Sequence, residues 1–332
     1  MELSGHKKLI VTVCFILSLS FLILSWDIYR VVKAPLRLKN NDAMIISLDR
    51  TASAYQFVRI LKEHQLIDST KIFLLMIRTQ GLAHQLKAGV YQIKPGETAS
   101  QLLDRVVKGD VVTQNFPIIA GTTQQKIAKD LILATYLEYH PEDWSSIKEA
   151  HPNAEGLVLA DTYQYRGGSR SNVLLDQAHQ NLMNYLDASW SNRIPDLPYR
   201  TPYELLIAAS IIEKETAIPE ERSLISGVMV NRLKKKMPLQ MDPTVIYALG
   251  HRYKGKLSHK DLLIDSPYNS YRYRGLPPTP IAMVGKNALD AAAHPKLSKY
   301  LYFVAKGDGQ HQFSETYEQQ KQAIAQYQRR GS

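Results

Sequence analysis

One apolar run near the N-terminus constrains this chain more than any other feature. Residues 9–26, LIVTVCFILSLSFLILSW, carry no charged side chain. The run is about as long as a membrane-spanning helix, which needs about 20 apolar residues. A cleaved signal peptide would show an A-x-A-like pattern after the run, and SWDIYR has none. A buried core helix would carry a polar face. The sequence therefore predicts an uncleaved, membrane-spanning signal anchor.

Basic residues flank the run on both sides, so charge alone does not orient it. Lys7 and Lys8 precede it, and Arg30 and Lys33 follow it, whereas an excess of basic residues normally marks one side, the cytoplasmic one. The bulk of the chain follows the run, and residues 1–8 have the length of a short cytoplasmic stub. We therefore predict that the N-terminus lies inside the cell and the remainder outside.

Composition narrows the functional classes only in part. The 332 residues carry a formal net charge of +10, which favours an anionic partner such as a nucleic acid, a membrane surface or an acidic polymer. The sequence has no glycine-rich phosphate loop, no zinc-type Cys/His spacing and no nucleic-acid-binding motif. We therefore predict no nucleic-acid partner, no metal and no cofactor. Cys14, the only cysteine, excludes an intramolecular disulfide.

A small unit is predicted over residues 43–112, after a basic, turn-rich linker at 27–42. Residues 53–66 have helical periodicity, and residues 72–78 continue as helix. GVYQIKPGETASQLLDRVVKG then has the pattern of a strand, a Pro-Gly turn and a helix capped by Thr98 or Ser100. Within it, YQIKPGETASQLL resembles the LysM glycan-binding module. The same pattern is common in units without a ligand, so a purely structural unit remains open.

The stretch ASIIEKET, which ends at Thr216, places two carboxylates where an apolar helix stops. Thr201-Pro202 is a typical helix start, and LLIAASII is apolar on nearly every face, which indicates a buried helix. Glu213 and Glu215 follow at its C-terminal end, where the helix dipole disfavours negative charge. Burial also raises a carboxyl pKa. Both effects favour a protonated glutamate near neutral pH, which a general acid requires.

Helix geometry alone does not decide which glutamate has which role. Residues two apart point to nearly opposite sides of a helix, so one glutamate can face a cleft while the other makes a structural pair. The alternative is that both are solvated charges, paired with Lys214, Arg222 or Arg232 where the helix emerges.

A set of ordered motifs makes the family recognisable. ASIIEKETAIPEERSLISGVMVNRLKKKMPLQMDPTVIYALG closely resembles the catalytic segment of the YceG-like family, the endolytic murein transglycosylases. EGLVLADTY precedes that segment, and YNSYRYRGLPPTPI, LDAAAHP and YLYFVAKGDGQHQFSETYEQ follow it in the order found in that family. With the N-terminal anchor and the LysM-like unit, the resemblance covers nearly the whole chain.

The resemblance implies a reaction. Enzymes of this family cleave the β-1,4 bond between N-acetylmuramic acid and N-acetylglucosamine within peptidoglycan strands. One glutamic acid protonates the leaving oxygen and then, as a carboxylate, deprotonates the muramyl C6 hydroxyl, which closes a 1,6-anhydro ring. Other lytic transglycosylases carry their acid as Glu followed by Ser. Glu215-Thr216 reproduces that hydroxyl neighbour, so Glu215 is the predicted catalytic residue.

The resemblance also implies a set of substrate-binding residues in the cleft. Their polar groups suit sugar hydroxyls and N-acetyl groups, and tyrosine rings stack on sugars. For each of them a capped turn or a packed tyrosine is the alternative, and Asp242-Pro243 in particular is a turn-forming pair. The predicted substrate-binding residues are Glu213, Asn231, Gln240, Asp242, Tyr247, Tyr268, Asn269 and Tyr271. Residues 281–285, IAMVG, depart from the Asn-Pro-Gly style turn expected there.

The predicted architecture is α+β. It comprises the single transmembrane helix, the small LysM-like α/β module at 43–112 and a larger α+β catalytic domain at 113–332, with a groove open at both ends. The resemblance implies a single-pass protein of the bacterial inner membrane that faces the periplasm, terminates nascent glycan strands and has penicillin-binding proteins as partners. Two other functions remain open: a peptidoglycan-binding scaffold with inert glutamates, and a hydrolase that uses Glu213, Glu215 and water.

Overall fold

A computed structural model describes residues 5–148 and 150–328. Residues 1–4 of the predicted cytoplasmic stub lie outside the described residues. The chain divides into two compact units. Unit 1 holds the described residues up to Gln114 together with 135–137 and 165–169, and unit 2 holds the rest. Helices and strands are mixed in both, in agreement with the predicted α+β class.

Unit 1 begins with one long helix and continues as strand, helix, helix, strand, helix. Its elements are α1 (Gly5–Lys33), β1 (Met44–Leu48), α2 (Ala54–Glu63), α3 (Thr70–Thr79), β2 (Gly89–Ile93) and α4 (Ala99–Lys108). β1 and β2 pair antiparallel, from Met44 opposite Ile93 to Leu48 opposite Gly89.

Local capping explains where the helices of unit 1 start. Ser53 and Thr98 each form a capping box, with Gln56 and Gln101 respectively, and Ser69 caps α3 through its side-chain oxygen. Such caps satisfy backbone N–H groups that have no partner within the helix. The apolar faces then meet in one core, whose fully buried side chains include Phe57, Phe73, Tyr91 and Leu102.

The N-terminal helix extends beyond the apolar run. It continues to Lys33, so part of segment 27–42, which was expected to be a linker, is helical. Val31 and Leu36 are buried in the core of unit 1. Arg30 and Arg37 both pair with Asp68, at 2.7 and 2.6 Å. Apolar burial and these ion pairs join the end of α1 to unit 1 without an intervening free linker.

Two short strand pairs follow. They consist of β3 (Thr113–Pro117) with β5 (Thr162–Arg166), and β4 (Leu137–Glu138) with β6 (Ser169–Arg170). The helices of unit 2 are α5 (Gln124–Ile132), α6 (Trp144–Lys148), α7 (Ser171–Ser191), α8 (Pro202–Glu215), α9 (Pro219–Lys234), α10 (Asp242–Leu249), α11 (Lys286–Ala293) and α12 (Tyr317–Gln328). β7 (Tyr302–Ala305) and β8 (His311–Ser314) form an antiparallel hairpin before α12.

α8 is the central helix of unit 2. Thr201 caps it and Pro202 occupies its first turn, as the sequence predicted. Every residue from Leu205 to Ile212 is buried, because α8 contacts α7, α9, α10 and α11. A helix surrounded in this way has no solvated face along its middle, and its two C-terminal glutamates lie where that packing ends.

Candidate active site

Glu215 is the last residue of α8, and Thr216 caps the helix in an extended conformation. One carboxyl oxygen of Glu215, Oε2, is buried and makes no hydrogen bond within the protein. Burial and, to a smaller extent, the nearby negative charge of Asp242 raise the pKa of Glu215 to about 8, against the opposing positive charge of Arg232. At neutral pH this carboxyl group therefore carries its proton and can donate it, as a general acid must.

Glu213 has the opposite surroundings. Its Oε1 accepts a hydrogen bond from Nη2 of Arg222 at 2.8 Å, and its Oε2 accepts one from the backbone N–H of Gly285 at 3.0 Å. The Glu213 side chain is only 4% exposed. Of the three cationic partners that the sequence left open for the glutamates, Arg222 is the one that pairs with Glu213, while Lys214 binds the backbone oxygen of Gly121.

The carboxylate of Glu213 also fixes the segment at 281–285. Residues 281–284 are buried. The N–H of Met283 donates to the Thr122 oxygen, and the N–H of Gly121 donates to the Met283 oxygen, both at 2.8 Å. In place of the expected Asn-Pro-Gly turn, the structure therefore has a buried, hydrogen-bonded segment whose last residue, Gly285, donates to Glu213. We infer that Glu213 is a structural anchor for this segment.

Thr216, the hydroxyl neighbour of Glu215, faces inward. It is buried, and its Oγ1 accepts the N–H of Ile218 at 3.0 Å and lies 3.5 Å from Glu221 Oε2 as a donor. Glu221 in turn accepts from the N–H of His311 and contacts His311 Nδ1, at 2.8 and 2.7 Å. These contacts give the hydroxyl a positioning role, because it holds the backbone that carries Glu215.

Arg232 is a buried cation near the acid. Its Nε donates to the Leu301 oxygen at 2.6 Å, and its Nη1 donates to the Leu239 oxygen at 2.7 Å. Burial lowers the pKa of Arg232. Backbone carbonyls therefore hold the guanidinium in place, so that its charge acts on Glu215 from a fixed position. The sequence offered this arginine as an ion-pair partner of solvated glutamates, whereas in the structure it is buried and its charge lowers the pKa of Glu215.

Asp242 and Tyr271 form the other charged edge of the site. The Tyr271 hydroxyl donates to Asp242 Oδ1 at 2.5 Å. Burial raises the pKa of Tyr271, as do the charges of Asp242 and Glu215. Asp242 begins α10, and Gln240 before it is exposed, with a left-handed φ of 52°. Only a few per cent of non-glycine residues adopt a positive φ.

The side-chain amides of the two predicted asparagines donate to backbone oxygens. Asn231 Nδ2 donates to the oxygens of Ser298 and Tyr300, both at 2.9 Å. Asn269 is completely buried, donates to the Leu262 and Ile264 oxygens and accepts the N–H of Tyr271. Asn269 therefore has no accessible polar atom for a sugar, and we omit it from the proposed binding set.

Tyr247 and Tyr268 lie in a second polar cluster, which contains a carboxyl group without a role predicted from the sequence. Their ring centroids are 4.9 Å apart. The Tyr247 hydroxyl donates to Oε2 of the buried Glu155 at 3.2 Å, and the Tyr268 hydroxyl lies 2.9 Å from Thr279 Oγ1. Burial raises the pKa of Glu155 to about 7, against the hydrogen bonds that it accepts. The signal in the sequence was the glutamate that opens EGLVLADTY.

Comparison with known proteins adds one decisive observation. The model of the YceG-like family matches residues 46–326. The chain belongs to this family. An endolytic murein transglycosylase of Bacillus subtilis is 30% identical over 326 residues, which cover 88% of this chain and 87% of that protein. An endolytic murein transglycosylase of Streptococcus pneumoniae is 28% identical, over 66% of this chain and 46% of that protein.

A solved structure of the YceG-like family supports the fold. The crystal structure of a YceG-like protein from Listeria monocytogenes superposes with a TM-score of 0.52 at 28% identity, covering 85% of this chain and 99% of that one. Membership of the YceG-like family does not by itself distinguish Glu213 from Glu215. The difference between them comes from the contacts described above.

Proposed function

We propose that this protein is an endolytic murein transglycosylase, and that Glu215 is its catalytic acid and base. The observation that carries the assignment of Glu215 is its buried Oε2, which makes no hydrogen bond within the protein, on a carboxyl group whose pKa burial raises to about 8. The names of the Bacillus and Streptococcus relatives support the reaction class.

The proposed reaction needs one carboxyl group. Protonated Glu215 donates its proton to the glycosidic oxygen as the bond from that oxygen to C1 of N-acetylmuramic acid breaks. The Glu215 carboxylate then accepts the proton of the C6 hydroxyl, whose oxygen forms a new bond to C1. Glu215 ends protonated, as it began, and no water is consumed. Arg232 stabilises the carboxylate between the two transfers, because its positive charge lowers the pKa of Glu215.

The surroundings of Glu213 argue against the two-carboxylate hydrolase. Ordinary glycosidases use a second carboxylate as a base or a nucleophile. Both oxygens of Glu213 already accept hydrogen bonds, from Arg222 and Gly285. A water-activating role for Glu213 would require breaking a buried ion pair, which is costly.

For substrate contacts we propose Gln240, Asp242 and Tyr271 beside Glu215, and Tyr247 and Tyr268 in the neighbouring aromatic cluster. For Asn231, only the amide oxygen remains for substrate, because its Nδ2 already donates to two backbone oxygens. Glu213 and Asn269 act through the segments that they hold. We also propose that residues 43–112 of unit 1 form the LysM-like module, for which the strand–helix–helix–strand order of β1, α2, α3 and β2 is the support.

We further propose that α1 anchors the protein in the bacterial inner membrane, with the chain that follows α1 on the periplasmic side. An 18-residue window of the helix segment Leu9–Lys33 has a mean hydropathy of 2.5, and the segment is long enough to span a bilayer. In that location the substrate is nascent peptidoglycan, and penicillin-binding proteins that synthesise it are the proposed partners.

The test is a product analysis. Full-length protein in neutral detergent is incubated with purified peptidoglycan, and the released ends are analysed by mass spectrometry for wild type, Glu215→Gln and Glu220→Gln. Glu220 is an exposed glutamate on α9 and serves as the matched control. We expect 1,6-anhydro ends from wild type and Glu220→Gln only. Reducing ends would indicate a hydrolase, and no cleavage by folded wild type would indicate the scaffold.

A further inference from the structure

Unit 1 contains a cavity that the proposed reaction does not use. It measures about 760 Å³ and lies between the turn after β1 and the loop after α3. That volume is within the range of small-molecule sites, about 300–1,000 Å³. Its lining residues are Arg50, Thr51, Ala52, Ser53, Ala54, Tyr55, Arg78, Gly81, Ala83, His84 and Leu86. The lining contains two arginines and a histidine but no aspartate or glutamate.

The two arginines of this cavity differ from every other arginine in unit 1. Arg30 and Arg37 pair with Asp68, Arg59 with Glu63, and Arg105 with Glu97 and Asp110. Arg166 donates to the Gly109 oxygen.

Among the described residues, the guanidinium groups of Arg50 and Arg78 make no ion pair and no hydrogen bond. The arginines of unit 1 that lack a partner are therefore gathered in one cavity. Guanidinium groups bind carboxylates through paired, charge-assisted hydrogen bonds, so two of them lining one cavity favour an anionic ligand.

The remaining lining suits a ligand that also contains a sugar or peptide. Tyr55 is 58% exposed, so one large aromatic surface is open for stacking. Thr51 and Ser53 lie on the same turn as Arg50 and carry hydroxyl groups. A ligand with carboxylates next to an uncharged body matches this combination of cations, ring and hydroxyls.

We propose that this cavity binds the carboxylates of the short stem peptides that N-acetylmuramic acid carries in peptidoglycan. The choice of ligand rests on the proposed function. Binding of stem peptides in this cavity lets unit 1 recognise peptide-bearing strands, so that the protein prefers them to bare glycan.

The position of the cavity along α3 favours this ligand over a lipid headgroup. Asp68, just before α3, is paired with Arg30 on α1. Arg78 lies near the end of α3, about 12 Å along the helix axis from Thr70 at 1.5 Å per residue. The cavity therefore lies at the opposite end of α3 from the Arg30–Asp68 pair, which joins unit 1 to the anchor helix.

The test measures equilibrium binding to the full-length protein in neutral detergent. The probe is a disaccharide–tripeptide, N-acetylglucosaminyl-N-acetylmuramyl with its stem peptide, which lacks the bond proposed to be cut. Two comparison probes are the same fragment with amidated carboxylates, and a neutral chitin tetrasaccharide. Glycerol 3-phosphate serves as a competitor that represents the lipid headgroup.

We expect the charged fragment to bind, and each of Arg50→Gln and Arg78→Gln to weaken it about tenfold, the usual loss for one charge-assisted contact. Arg59→Gln, an exposed arginine of the same unit that is paired with Glu63, should bind as wild type does. Higher salt should weaken binding of the charged fragment only.

Equal binding of the amidated fragment or of chitin would overturn the proposal in favour of recognition of the sugar alone. Displacement by glycerol 3-phosphate at concentrations similar to the fragment would overturn it in favour of a lipid site. The reaction is tested separately, because the probe does not depend on Glu215. Anhydro ends without binding would remove this inference alone, and binding without anhydro ends would remove the proposed reaction alone.

Discussion

The surroundings of Glu213 and Glu215 differ although both carboxylates leave the end of one helix. Around Glu213, Arg222 and the N–H of Gly285 satisfy both oxygens. Around Glu215, Oε2 is buried without a hydrogen bond, and Arg232 and Asp242 act on it only through their charges. A carboxylate whose two oxygens both accept hydrogen bonds, such as that of Glu213, stabilises the segments that donate to it. A carboxyl group left without partners retains a proton that it can transfer.

The strongest challenge to this comparison is the substitution Glu215→Gln. A general acid contributes about 10²–10⁴-fold to a rate, so turnover on peptidoglycan should fall by that factor while the far-UV circular dichroism spectrum stays unchanged. The measurement is the initial rate of release of anhydro ends. A fall of less than tenfold in folded protein would remove Glu215 from the role of acid.

The substitution Glu213→Gln should mainly affect stability. Removing one partner of a buried ion pair costs about 3–5 kcal/mol, because the other charge stays buried without a counter-charge. Urea denaturation of Glu213→Gln should show this loss. The double variant Glu213→Gln/Arg222→Met should recover part of it, since no charge remains unpaired. If the two variants are equally stable, the ion pair does not anchor the helix end.

The pH dependence of activity should report the proton on Glu215. Because the acid must be protonated, kcat/KM should fall about tenfold per pH unit above pH 8, the value to which burial raises this pKa. Initial rates between pH 6 and pH 10 on short glycan strands would measure this limb. A limb with a midpoint near 4.5, the ordinary value of a glutamate, would contradict the proposed environment.

The free energy of unfolding should also depend on the protonation of Glu215. The folded state binds it more tightly than the unfolded state, so the contribution of Glu215 is fully present below about pH 4.5 and is lost as the pH rises to about 8. Each unit of the pKa difference corresponds to about 1.4 kcal/mol. In Glu215→Gln this component of the pH dependence should be absent, which urea denaturation at pH 5 and pH 9 would measure.

The smallest predicted effect comes from Asp242. Its negative charge raises the pKa of Glu215, so Asp242→Asn should move the alkaline limb of kcat/KM downward by about one pH unit. Tyr271→Phe, which removes the hydroxyl bound to Asp242, should move the limb in the opposite direction because the Asp242 charge is then less neutralised. Two shifts of the same sign would show that the limb does not depend on this charge.

Much of unit 1 could be predicted because its signals are local. The helix starts at Ser53 and Thr98 follow from side chains three residues away, and the apolar periodicity of α2 and α4 identifies the core. The linker was more difficult, because α1 continues through a basic segment that alone has little reason to be helical. Burial of Val31 in α1 and of Leu36 just after it stabilises this end of the helix, and tertiary contacts of this kind cannot be inferred from residues that are close together in the sequence.

The candidate site depends on distant residues to a greater extent. The sequence singled out Glu213 and Glu215, but Gly285 and Arg222, which separate their roles, lie 72 and 9 residues from Glu213. Glu155 acquires its raised pKa from burial and contacts Tyr247, 92 residues away. Asn269 has a side chain of the type that binds sugars, and only the structure reveals that its amide already binds backbone oxygens. Pairings of this kind cannot be deduced from motif spacing.

Because α1 is continuous, its number of residues fixes both how far its end lies along the helix axis and the angle at which that end is turned about the axis. An α-helix turns about 100° and rises 1.5 Å per residue, and α1 runs without interruption until its end is packed and ion-paired in unit 1. One residue inserted after Trp26 would therefore turn unit 1 by about a quarter of a revolution around the helix axis. A flexible tether would absorb that insertion, whereas here the orientation of the Arg50 and Arg78 cavity about the axis of the anchor is fixed by the number of residues in the helix.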